Sequence, residues 1–357
     1  MKKSSLIKGR GAQSNKPNRF LAHVHELRND FLEYCRKQGE AEEPAKTQYL
    51  PIHPKSIVNK VKSPDLRMDY SMNPYQGCEH GCVYCYARNT HEYWGYSAGL
   101  DFEKRILIKS NASQLLENCL KRKIWKAKTI VLSGNTDCYQ PAERIYKITR
   151  ACLEVFLKYR HPVGIITKNS LVLRDLDLLE ELARYGLVSV NISLTSLSEG
   201  TRRILEPRTS SISKRLKTIK VLSAANIPVN CLFAPIIPGI NSHEIINLAK
   251  IASEYGAHTF GYTIVRLNGR VADLFKDWLS RTMPDKAEKV LSLISSCHGG
   301  SINDSRFGIR QKGEGPMASQ IHSMAKTAKG KYFSKERLAN LNTEHYKNLK
   351  NPQQTLF

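Results

Sequence analysis

The sequence predicts an α/β protein organised around a parallel sheet. Three observations predict it: short apolar runs recur through the middle of the chain, amphipathic stretches lie between them, and those stretches, at 10–20 residues, are long enough for helical crossovers. The expected strands are residues 68–72, 129–133, 163–167, 187–194, 228–234 and 259–266. The expected helices are 141–159, with Pro141 at its first turn, then 173–185, 213–224, 242–255 and 284–296. Six such units make either a doubly wound sheet or an incomplete TIM-like barrel. Both place chemistry at the C-terminal ends of the strands.

The flanks read differently. Residues 1–25 hold Lys2, Lys3, Lys8, Arg10, Lys16 and Arg19 with no acid, and their Gly, Ser and Asn content suggests a flexible arm. Residues 26–66 carry one weak helix near 26–37 and a Pro-punctuated loop; residues 297–357 read as loops with one or two short helices. The expected regions are a basic arm and extension over 1–65, a core domain over 66–270, and an appendage with a flexible tail over 271–357.

The chain has 357 residues, of which 41% are hydrophobic and 24% charged, enough to bury a sizeable core and to exclude wholesale disorder, collagen or a small disulfide scaffold. No apolar run approaches the roughly 18 residues of a spanning helix. The N-terminal stretch lacks the apolar core of a signal peptide, so a soluble, cytoplasmic protein without membrane contact is expected. Fifty-five Lys and Arg stand against 32 Asp and Glu, a formal charge of +23. That excess points to DNA, RNA or anionic lipid, or serves solubility alone. Residues 104–128 carry eight basic residues against Glu117, and residues 201–220 carry seven against Glu206.

Six of the nine cysteines are scattered (Cys35, Cys119, Cys138, Cys152, Cys231, Cys297); the other three, Cys78, Cys82 and Cys85, form CxxxCxxC directly after the first strand. Three thiolates at that spacing can wrap one compact metal centre and leave a position open, where electron-transfer clusters use four. Gly77 and Gly81 allow a tight turn. Structural zinc would need a fourth ligand; no second pair follows, and His80 is poorly placed to close a tetrahedron with all three thiolates.

The motif, with Tyr84 before its last cysteine and on the loop after the first strand of a six-unit βα pattern, resembles the radical SAM superfamily over residues 66–270. The resemblance implies an incomplete (β/α)6 TIM-like barrel. It also implies a 4Fe–4S cluster on Cys78, Cys82 and Cys85, whose open iron takes S-adenosylmethionine (AdoMet). Reductive cleavage then yields a 5′-deoxyadenosyl radical that abstracts hydrogen from the substrate. By the same resemblance Tyr84 lies against the adenine. The amino group falls to one of Ser133, Asn135 or Asp137, a segment that departs from the common Gly-Gly-Glu pattern. Ser193 is expected at the ribose and Arg208 at the carboxylate, where its fork suits two parallel hydrogen bonds. Arg202 and Arg203 are expected on a solvated helix face. The backbone near Ile237 is expected at the adenine; Ala234 replaces a usual glycine there, and Glu244 reads equally as a first-turn helix acid.

Within the superfamily, residues 135–143 and 8–20 resemble an uncharacterised spore-photoproduct-lyase-like group, often labelled DNA repair photolyases. That implies a lyase-like reaction on a DNA lesion and an external electron donor. Modification of RNA or protein, or a non-catalytic iron–sulfur or zinc module that holds nucleic acid, are the alternatives. The hydrogen-donating cysteine of the lyase aligns near Gly134, so Cys138 stands either as its substitute or as a turn thiol. The C-terminal residues 351–357 resemble Q-x-x-L-F sliding-clamp peptides, with Gln353, Leu356 and Phe357 as the expected anchor.

Overall fold

A computed structural model describes residues 6–21, 46–66, 68–334 and 340–350. The weak helix near 26–37 and the clamp-like residues 353–357 lie outside the described residues. The strands described are β1 (Gln48–Ile52), β2 (Asn59–Lys60), β3 (Tyr70–Met72), β4 (Tyr75–Gln76), β5 (Arg105–Lys109), β6 (Ile130–Leu132), β7 (Val163–Thr167), β8 (Val188–Ser193), β9 (Val229–Ile236) and β10 (Phe260–Ile264).

The main sheet has the order β10-β9-β8-β7-β6-β3-β2. Its six strands β3 and β6 to β10 are mutually parallel, and β2 adds antiparallel to the β3 edge. Each parallel strand pairs with the next in the chain. A doubly wound sheet would reverse direction at a switch point. This sheet has no such point, so it curls one way into a half-barrel, the incomplete (β/α)6 architecture. A smaller sheet, β1-β5-β4, lies outside the expected pattern, inserted on either side of β3.

The core sits between the sheet and its outer helices. Val163, Ile165, Val188, Val190, Ile192, Val229, Cys231 and Phe233 pack there against Cys152, Leu153, Phe156, Leu179, Leu182, Ile219 and Leu222. The expected helix 141–159 is two helices, Glu143–Tyr146 and Ile148–Lys158, broken where Lys147 adopts φ +51°. The break has a cause: the buried Glu143 carboxylate accepts the Thr149 amide at 2.9 Å, capping the second helix. Ser211 caps Ile212–Ala224 through the Lys214 amide, and Ser198 caps Glu199–Leu205 through that of Thr201.

Among the described residues, four α-helices occupy the stretch expected as an appendage: Arg270–Thr282, Ala287–Ser296, Gly315–Tyr332 and Glu344–Lys350. Arg270–Thr282 buries Val271, Leu274, Phe275, Trp278 and Leu279, and much of that face joins the apolar cluster that holds Cys82, Val83 and Tyr84. Gly315–Tyr332 runs for 18 residues and packs against Ile245–Glu254 through Ala318, Ile321, Ala325 and Ala328. The expected flexible arm is, over residues 10–19, bound to the body of the protein. Among the described residues no helix is long and apolar enough to cross a membrane, and the eight cysteines described are free thiols.

Candidate active site

Strand β3 delivers the chain to the C-terminal rim, where β4 and Gly77 (φ +82°) turn it into the cysteine loop. A side chain at Gly77 would put its Cβ 2.8 Å from the Arg105 carbonyl oxygen. The Cys78 amide is fixed to the Phe102 carbonyl at 2.8 Å and that of Val83 to Leu205 at 3.1 Å. Cys78 and Cys82 are buried, Cys85 partly so.

Burial pushes the Cys78 thiol well above its ordinary pKa, helped by the charges of Asp137 and Cys82, while the Asp137 amide donates to its sulfur. Burial likewise takes Cys82 to about 12, against the nearby Lys168 ammonium. Bare thiolates at Cys78 and Cys82 are therefore disfavoured here, whereas a cationic metal centre would hold them deprotonated. His80 is engaged elsewhere, with Nδ1 3.3 Å from Asp137 and Nε2 3.3 Å from the Asn169 amide. The donor set thus fits an iron–sulfur cluster better than structural zinc.

The expected cofactor residues fall in two groups. Tyr84 and Ile237 share one apolar cluster with Cys82 and Val83. The Tyr84 hydroxyl donates to the Glu206 carboxylate, and the Lys168 ammonium lies 6.0 Å from its ring centre. Glu206 is fully buried and also accepts from Thr195 at 2.8 Å and Arg215 at 2.5 Å. Against the cost of burial, the Arg215 and Lys168 charges hold it near about 2. Ser193 ends β8 beside this network, its carbonyl accepting from Arg215 at 3.0 Å.

The second group follows β6. Ser133 adopts φ +69°, and its hydroxyl accepts the Cys138 amide at 2.7 Å. Asn135 receives nothing at its side-chain oxygen among the described residues; it donates its amide to Asn73 and its Nδ2 to Thr90. Asp137 is committed internally to Thr167, to the Lys168 and Tyr139 amides and to His80. Despite burial, His80 and these donors hold Asp137 near about 2. Asn135 thus presents a side-chain oxygen with no donor on it among the described residues.

Arg208 sits on the cysteine loop, its amide on the His80 carbonyl at 3.3 Å and its guanidinium 3.5 Å from Glu79. Arg203 is exposed as expected, but Arg202 is buried, bonded to the Glu206 and Thr209 carbonyls. Glu244 spans from its helix turn to the Ser196 hydroxyl and the Leu197 amide. Cys138 is fully buried in the main core, its amide donating to the Ser133 hydroxyl. Sequence reasoning missed Glu206 and Arg215 as the hub behind Tyr84. An acid beside a proline and a basic residue on an amphipathic helix give no local signal of burial.

The sequence profile described as the Radical SAM superfamily matches residues 72–252. An uncharacterised protein of Mycobacterium bovis is 33% identical over 245 residues, 67% of this chain and 71% of that protein. Another from Methanocaldococcus jannaschii is 30% identical over 244 residues, 68% of this chain and 87% of its own. Among solved structures, a spore photoproduct lyase double mutant with bound AdoMet and dinucleoside spore photoproduct superposes with a TM-score of 0.59 at 14% identity, covering 85% of this chain and 91% of that one. The same enzyme complexed with dinucleoside spore photoproduct gives 0.59 at 16%, covering 80% and 79%. At such identities the likeness is one of fold.

Proposed function

The chain belongs to the Radical SAM superfamily, and on that premise we propose that this enzyme abstracts hydrogen from a nucleic acid, with a DNA lesion as the target class. The observation that carries the radical chemistry is the cysteine loop: three thiols on one buried turn at the C-terminal end of the first parallel strand. Cys78, Cys82 and Cys85 would hold a 4Fe–4S cluster which, with AdoMet on its open iron and an external electron donor, supplies the hydrogen-abstracting radical.

The surrounding residues have separable duties. Tyr84 and Ile237 form an apolar wall suited to an adenine face. The Glu206 carboxylate fixes the Tyr84 ring through its hydroxyl, so the wall is set before a ligand arrives. Asn135 offers a side-chain oxygen to an ammonium, and Ser193 ends the strand beside the Glu206–Arg215 network. Arg208 is a third exposed and holds Glu79 only at 3.5 Å, so its fork is available to a ligand carboxylate. One oxygen of Glu79 is buried without a partner among the described residues, leaving an acceptor in the same loop.

The nucleic-acid reading is supported by the fold shared with spore photoproduct lyase, whose structures hold a dinucleoside photoproduct, and by the formal charge of +23. The test is anaerobic reconstitution, measurement of iron, sulfide and 5′-deoxyadenosine, and then deuterium transfer from labelled DNA, RNA and protein. Label reaching 5′-deoxyadenosine from DNA supports the proposal. Label arriving only from RNA or protein overturns the substrate, and uptake of zinc without iron overturns the cofactor.

A further inference from the structure

Residues 10–19 cross the cysteine loop and the turn behind it. The Gly11 and Ala12 amides donate to the Glu103 carboxylate at 3.2 and 2.8 Å. Glu103 is fully buried and pairs with Arg88, also fully buried, at 2.6 Å. The rest of the Arg88 guanidinium is matched as well: Nε donates to the Cys82 carbonyl at 2.9 Å, and one terminal nitrogen donates to the Ala98 and Gly99 carbonyls. A buried ion pair is tolerable only when its remaining donors and acceptors are satisfied. Here they are satisfied by the backbone of a cysteine ligand on one side and by the N-terminal segment on the other.

The fit leaves no room for a side chain. A Cβ on Gly11 would stand 1.7 Å from the Gly81 carbonyl oxygen, and one on Gly99 would stand 2.1 Å from that of Ser14. Farther along, Asn18 donates to the Glu92 and Tyr96 carbonyls, and Arg19 pairs with Glu92 at 2.8 Å. Contacts thus run from the cysteine loop to the end of the short helix Tyr86–Trp94 that follows it.

We propose that residues 10–19 form a strap that completes the cofactor site, with Arg88 and Glu103 as positioning residues that set the backbone of the Cys82 ligand; this rests on the cluster reading above. The strap covers the loop, and the Arg88–Glu103 pair couples its docking to the geometry of Cys82. Coupling of that kind is reciprocal: a docked strap retains iron, and bound cluster holds the strap.

The experiment uses the full chain, reconstituted anaerobically. Hydrogen exchange is read at the Gly11 and Ala12 amides with and without cluster, and iron loss to a ferrous chelator is timed for wild type, Gly11→Ala and Glu103→Gln. The expected result is slower exchange at both amides on cluster loading, with iron loss about 10–100-fold faster in either folded variant. Amides that exchange as in an unstructured chain, or that ignore cluster loading, overturn the proposal on wild-type protein alone, whatever the variants do. Chelation at the wild-type rate in folded Gly11→Ala overturns it too. A wild-type chain that takes up no iron and sulfide sinks the cofactor reading and this proposal together, whereas normal loading with an indifferent strap sinks only this one.

Discussion

At the C-terminal ends of the parallel strands three arginines are turned inward and matched. Arg215 meets Glu206, Arg202 meets Glu199 and two carbonyls, and Arg88 meets Glu103. At the opposite end, the connection entering β6 leaves Lys123, Lys126 and Lys128 exposed around Ile124, itself 87% exposed. Residues 104–128 and 201–220 divide between these two roles, and of the seven basic residues in the second cluster Arg203, Lys214, Lys217 and Lys220 stay exposed. In the second, Arg202 and Arg215 are structural; in the first, the densest exposed run enters a strand whose other end faces the site. Charge at the far end raises the local concentration of a polyanion without touching the reacting group. Charge at the near end builds the walls of the site.

Four variants break or sharpen that contrast. Cys82→Ala should bring AdoMet cleavage to background while the circular dichroism spectrum stays native; residual 5′-deoxyadenosine above background would disprove the ligand assignment. Glu206→Gln should destabilise by about 3–5 kcal/mol, because Arg215 is left buried without its counter-charge. The same carboxylate sets a pH signature. Its folded value, near about 2, lies below the roughly 4.3 of an unfolded Glu, so its stabilisation is complete above about pH 5 and lost as pH falls through the folded value. Thermal melts from pH 6 to 2 should therefore fall less steeply in the variant.

Neutralising Lys123 and Lys126 to Gln should lower the salt slope of non-specific DNA binding by about 1–2 and leave AdoMet cleavage unchanged. A loss of cleavage in that pair would place the far end in the reaction. Smallest is Ser211→Ala, which removes the cap of Ile212–Ala224 and should cost about 1 kcal/mol, a drop of roughly 2–4 °C in Tm.

The parallel strands were legible because each is a short apolar run between turn signals, and the cysteine loop because its information is local spacing. What stayed hidden depends on distant partners or weak contrast. Gly315–Tyr332 presents alanines to its neighbour, so its buried face barely differs in hydropathy from its exposed one. The break at Lys147 comes from Glu143 capping the next helix, which reads in sequence as one continuous amphipathic pattern. The docked arm was misread because Gly, Ser and Asn suggest freedom, while its anchor, Glu103, lies 91 residues from Ala12. Arg202 and Arg215 were unreadable for the reason that makes Arg a usual surface residue: only a buried acid and aligned carbonyls pull it inside.

The long reach of the bonds around Tyr84 also fixes an order of events on the ribosome. Tyr84 and Glu206 are 122 positions apart, and Arg215 must follow before Glu206 is paired. At roughly 5–20 residues per second, the 130 residues from Cys85 to Arg215 take about 7–26 s to synthesise. For that interval the three thiols exist on a nascent chain without the buried network that braces them. Iron loaded then would bind an unbraced loop; iron loaded afterwards meets a preformed site. A metal delivered after that interval would have to reach a loop already enclosed by its own barrel.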